Sequence, residues 1–156
     1  MDDPYDLKRF VLAQEDDYAR ALQELRTGRK RSHWMWYVFP QFAGLGFSAT
    51  SKLYAIKSVA EAKAYLNHPV LGPRLLESAE ALLTHSGLSA WEILGCPDDM
   101  KLHSSATLFD AVSPPDSVFR RLLDKYFEGQ RDGQTVKLIG TISGTWHLVM
   151  RMLWLT

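Results

Sequence analysis

Four cations, Arg26, Arg29, Lys30 and Arg31, fall within six residues, and a run of rings follows them directly. The chain continues through His33, Trp34, Trp36 and Tyr37 to Gln41, the Gly44-Leu45-Gly46 turn and Ser48. Cationic side chains hold phosphate, planar rings stack on bases, and glycine lets backbone N–H groups come close to a ligand. Residue types in this order suit a nucleotide or nucleic-acid pocket. Arg29, Lys30 and Arg31 would hold phosphate, Trp34 or Trp36 would stack on a ring, and Gln41 would hydrogen-bond. Gly44 and Gly46 form only a fragment of a glycine-rich loop, since no Walker pattern or full GxGxxG is present. The plain alternative makes the cations a solvated helix end and the tryptophans core.

A second polar group runs from Asp98 to Ser105. On a helix Lys101 and Ser105 share a face, as do Asp98 and Lys101. Lys101, Ser104 and Ser105 would complete a polar pocket, whereas the alternative is an ordinary helix start with acids at its positive end. The five histidines never pair at i+3 or i+4, and HExxH and CxxC are absent, so no metal or cofactor is expected. Cys96 is the single cysteine, and Asp98 and Asp99 beside it oppose a thiolate. No G-x-S-x-G elbow occurs. Glu77, Glu92 and Asp99 are available carboxylates, and spacing favours none of them as a catalytic group.

The elements that must position these residues read as short helices. Asp6 is placed to cap a first helix carrying Leu7, Phe10, Val11 and Gln14, with Tyr18, Leu22 and Leu25 continuing it or starting a second. Gly28 stops it. Residues 34–39 fit either a buried strand or a short buried helix, and a small strand pair within 34–56 is the main competitor to an all-helical reading. Ser58 and Ser89 each precede a glutamate at capping-box spacing. Leu71, Leu75, Leu76, Ala79 and Leu83 form one apolar stripe. A longer helix is expected over 97–112, another around Val118 to Phe127, and a last turn over 135–139. The fold expected is all-α: a compact multihelical single domain of six to eight short helices, spanning residues 1–139. The apolar segment 140–156 is read as a docked helix or a non-native tail, and as the place where a homo-oligomer would form.

At 156 residues, 46% hydrophobic and 23% charged, the chain has the size and mix of one globular domain. Zero net charge argues against double-stranded DNA and anionic membranes as partners. One thiol, no apolar signal core and no long apolar run point to the cytoplasm.

Four stretches, DPYDLKRFVLAQ, YARALQELRTGRKRSHWMWYVFPQFAGLGFS, YAIKSVAEAKAYLNHPVLGPRLLE and PDDMKLHSSATLF, resemble the bacterial domain-of-unknown-function family numbered 1810 over roughly residues 3–139. Its members are sometimes labelled calpastatin-like, a disordered inhibitor that this tryptophan-rich, capped chain contradicts. The resemblance implies a compact multihelical fold and no particular activity. A fainter likeness joins EAKAYLNHPVLGPRLLE and KYFEG to the YbiA-like family, which acts on N-glycosidic bonds, but no catalytic glutamate can be carried over. The function expected is the binding of a phosphorylated, ring-containing small molecule of nucleotide or ADP-ribose type, with processing of an N-glycosidic bond as its enzymatic form. The rivals are a non-enzymatic protein–protein module and a single-stranded nucleic-acid binder.

Overall fold

The computed structural model describes residues 2–142, with side chains as far as residue 140. Among them are nine helices and no strand: α1 (Lys8–Thr27), α2 (Met35–Val38), α3 (Ala49–Leu53), α4 (Val59–Asn67), α5 (Leu71–Leu83), α6 (Ala90–Leu94), α7 (Asp98–Ala111), α8 (Val118–Tyr126) and α9 (Gly133–Ile142). The all-α expectation holds. The strand-pair competitor shrinks to one isolated parallel bridge between Phe42 and Ile56. The expected C-terminal helix and any oligomer contact beyond Ile142 lie outside the described residues.

α1 is one continuous helix of 20 residues. Its start is capped by Asp3 rather than Asp6: the Asp3 carboxylate accepts from the amides of Leu7 (2.8 Å) and Lys8 (3.1 Å). Asp6 itself takes a left-handed φ of 51°, which belongs to a turn rather than to a cap. Ser89 and Glu92 close a full capping box on α6. Ser58 caps α4, but Glu61 is drawn away from a reciprocal bond by Arg9. α9 is longer than the expected turn because Asp132 accepts from the amide of Thr135 (3.1 Å) at its start.

α5 packs against α1, α4 and α8, and α7 packs against α8, α6, α9 and α4. Tyr65, Phe109 and Phe119 fill the space between them with tilted ring contacts. Leu76, expected on the buried stripe, is 44% exposed, because α5 turns Ser78, Ala79 and Leu82 inward.

Two buried polar connections position everything that follows. Gln14, 1% exposed, donates Nε2 to the carbonyl of Tyr37 (2.6 Å) and to Tyr65 Oη (3.2 Å), so α2 is tied to α1 and α4. Aromatic and β-branched residues are mediocre helix formers, and α2 exists because this tether and the burial of Met35, Val38 and Phe39 fix it. Arg9 supplies the second connection. Its Nε donates to the carbonyl of Leu53 (2.8 Å), Nη1 to those of Tyr5 (2.7 Å) and Asp6 (2.8 Å), and Nη2 to that of Ala55 (2.9 Å) and to Glu61 Oε2 (2.6 Å). The Arg9 and Glu61 side chains are 8% and 3% exposed. Glu61 Oε1 also accepts from the Lys57 amide at 3.2 Å. Segment 53–57 is thereby held on α1 and α4. Removing one partner of a buried pair strands the other charge. Glu61→Ala is expected to lower the unfolding free energy by about 3–5 kcal/mol in urea titrations, and a loss below about 1 kcal/mol would show that solvent already compensates Arg9.

Candidate functional site

The expected pocket residues divide into three groups. α1 ends at Gly28, and the chain reverses over the Glu24 carboxylate. Glu24 Oε1 accepts from the amides of Arg31 (2.8 Å) and Ser32 (3.1 Å) and from Trp34 Nε1 (2.8 Å), and Oε2 accepts from Ser32 Oγ (2.6 Å). Trp34 is 1% exposed and belongs to the core. Trp36, which α2 turns to the other side as helical spacing requires, is only partly buried.

The three cations also part company. Lys30 points inward: its amide donates to the carbonyl of Ile93 (2.7 Å), and its ammonium lies 2.7 Å from Asp98 and 5.1 Å from the centre of the Trp34 ring. Arg29 and Arg31, on either side of it, are exposed, as is His33, and neither arginine makes an ion pair among the described residues. The first group is thus an outer face of Arg29, Arg31 and His33.

The second group is internal. Asp98 also pairs with Lys101 at 3.3 Å, and the Lys101 ammonium sits 4.2 Å from the centre of the Trp36 ring. A continuous series Trp34, Lys30, Asp98, Lys101, Trp36 joins the two tryptophans. Ser104 donates to the carbonyl of Met100 (3.2 Å) and to Asp132 (3.2 Å). Ser105 is 1% exposed, and its Oγ has no partner. Of this stretch, Asp98 and Lys101 engage each other and Lys30 in salt bridges.

The third group forms an open groove of about 290 Å³. Trp36, Gln41, Gly44 and Gly46 line it, together with Ser51, Lys52, Tyr54 and Lys57. Its floor is the bridge at Phe42 and Ile56, in which the Ala43 amide donates to the carbonyl of Ile56 (2.8 Å) and the Ile56 amide to that of Gln41 (2.9 Å). Phe42 and Ile56 point into the core (1% and 0% exposed), so the residues flanking each face the groove. Gly44 has φ +103°, and a side chain at Gly46 would meet Ser51 Cβ at 2.5 Å. Ser48 stays outside, capping α3 through a bond to the Ser51 amide (3.1 Å).

The lining carries two ammonium groups, an indole, a phenol, an amide and a hydroxyl, and no carboxylate, imidazole or thiol. Lys52 and Lys57 are exposed and make no ion pair among the described residues. The sequence reading missed both. For Lys57 the signal was the alternation Tyr54-Ala55-Ile56-Lys57, which places it opposite in facing to Ile56. Among the described residues no group of three or more His, Cys, Asp or Glu is placed to hold a metal ion.

Burial pushes the Glu24 carboxyl up, but the Ser32 hydroxyl, the Arg31 amide, the Trp34 indole and the Ser32 amide outweigh it and hold the pKa down to about 2, against the ordinary 4.5. The carboxylate's contribution is therefore complete above about pH 4.5 and is lost as the pH falls through 2. Glu24→Gln is expected to cost about 1–3 kcal/mol at neutral pH. The gap to the wild type should narrow between pH 4.5 and 2 in denaturant titrations; a gap constant over that range would contradict the assignment.

None of the curated proteins matches the chain. The crystal structure of the conserved hypothetical protein Rv1873 from Mycobacterium tuberculosis is similar to it, with 51% identity over 88% of this chain and 99% of that one and a TM-score of 0.87. The model of the family described as "Protein of unknown function (DUF1810)" matches residues 4–139, and the chain belongs to that family.

Proposed function

We propose that the domain binds a phosphorylated, ring-containing small molecule of mononucleotide size in the groove beside Trp36. The observation that carries this reading is the lining: two unpaired lysines and an indole meet in one concavity that contains no acidic side chain. Lys52 and Lys57 supply the charge for a phosphoryl group, Trp36 supplies a ring face, and Gln41 supplies an amide that both donates and accepts. About 290 Å³ lies just below the ligand-pocket range of roughly 300–1,000 Å³. That favours one ring and one phosphoryl group over a whole ADP-ribose.

Splitting an N-glycosidic bond by acid–base catalysis needs a positioned carboxylate or comparable group at the bond. The lining offers none, which supports binding over hydrolysis. Among the described residues no helix is long and apolar enough to cross a membrane.

The reading is tested by thermal unfolding with adenosine monophosphate, ADP-ribose and inorganic phosphate. A ligand at 100 times its Kd stabilises by about 2.7 kcal/mol, or roughly 5–10 °C for a domain of this size. Lys52→Ala/Lys57→Ala is expected to abolish the shift while leaving the ligand-free midpoint nearly unchanged, and Arg29→Ala to leave the shift intact. No shift with any nucleotide, or an equal shift in the double variant, would overturn the reading.

A further inference from the structure

Phe47 is 88% exposed, more than any other large apolar side chain among the described residues. It directly follows Gly46, which lines the groove, and comes four and five residues before Ser51 and Lys52, which also line it. A lone exposed phenylalanine is unremarkable on a protein surface. This one borders a groove lined by two further rings, those of Trp36 and Tyr54. Tyr54 faces inward against Tyr37, with ring centres 5.2 Å apart, and against Phe10 at 5.9 Å. Trp36 has the Lys101 ammonium over its ring, and its indole N–H is buried without a partner. Phe47 makes no ring contact among the described residues, so both of its faces remain open.

The loop that carries Phe47 has a defined pivot. Gly44 takes a φ of +103° that most residues avoid, and Leu138 of α9 lies 3.2 Å from where a Gly44 side chain would begin. Gly46 rests against Ser51, and Ser48 caps α3 just beyond. Phe47 therefore sits between two anchored points, in a loop whose neighbouring residues line the groove.

We propose that Phe47 is the outer wall of the site: it folds over the bound ring, which then lies between Phe47 and Trp36, and it makes the groove select aromatic-ring phosphates over phosphates without such a ring. This inference rests on the proposed small-molecule reading of the groove. Lysines supply attraction to any phosphate and carry no preference for what is attached to it. Ring selectivity has to come from apolar planar surface, and loss of one stacking partner weakens a ring ligand about 5- to 150-fold.

Isothermal titration calorimetry on the full chain, with adenosine monophosphate and ribose 5-phosphate as probes, tests this. Phe47→Ala is expected to weaken adenosine monophosphate about 5- to 150-fold and to change ribose 5-phosphate less than about twofold, with Phe47→Tyr restoring the wild-type preference. Because Phe47 is exposed, the unfolding midpoint of each variant should stay close to the wild type, and its measurement separates binding from folding. Equal adenosine monophosphate affinity in wild type and Phe47→Ala, while Lys52→Ala/Lys57→Ala still loses binding, overturns the role of Phe47 alone. Equal weakening of both probes by Phe47→Ala also overturns it. Absence of binding to the wild type overturns both this inference and the reading it rests on.

Discussion

The Arg9 guanidinium holds the groove together from behind. Five of its contacts, to the carbonyls of Tyr5, Asp6, Leu53 and Ala55 and to the Glu61 carboxylate, gather the end of α3 and the 54–57 segment onto α1 and α4. The segment has little regular structure of its own, and its backbone groups would otherwise have to be satisfied by water. With Arg9 in place, Ile56 reaches the core and pairs with Phe42, and Lys57 is left facing the concavity. Burying an ion pair is seldom a net gain over an apolar contact. Its value here is directional, since an apolar residue at position 9 offers no donors to four carbonyls in fixed places.

The same logic separates the cation-and-ring segment into an inner and an outer part. Glu24 collects four donors from residues 31–34 and pulls Trp34 into the core, which places Trp36 on the opposite side of α2. Gln14 then fixes α2 through the carbonyl of Tyr37. Asp98 pairs with both Lys30 and Lys101, and these ammonium groups lie over the Trp34 and Trp36 rings respectively. The cations that line the groove are Lys52 and Lys57.

Elements with periodic apolar faces or strong caps were legible in the sequence. The Ser89–Glu92 box, the stop at Gly28 and the long helix over Asp98–Ala111 rest on local chemistry, which neighbouring residues determine. α2 stayed open between strand and helix, because tertiary tethers rather than propensity make it helical, and α3, five residues with no buried side chain, offers no apolar face to read. The exchange of Asp3 for Asp6 as the α1 cap turned on a left-handed residue that composition does not reveal. Of the residues singled out by type and order, Trp36, Gln41, Gly44 and Gly46 line one groove. Lys57 was missed because its facing depends on a bridge between Phe42 and Ile56, 14 residues apart, and Lys52 because it lies on the short α3. Glu24, a residue on a helix that looks solvated, carries no local sign that its carboxylate organises the loop after it.

The most direct test of the groove as the binding site is a backbone and indole amide NMR titration of the wild-type chain with adenosine monophosphate. The account predicts saturable shifts at the Trp36 indole and at the amides of Ala43, Gly44 and Gly46, with the Trp34 indole and the amides of Arg29 and Arg31 unmoved. Shifts centred on residues 29–33, or no saturable shift at Trp36, would contradict it.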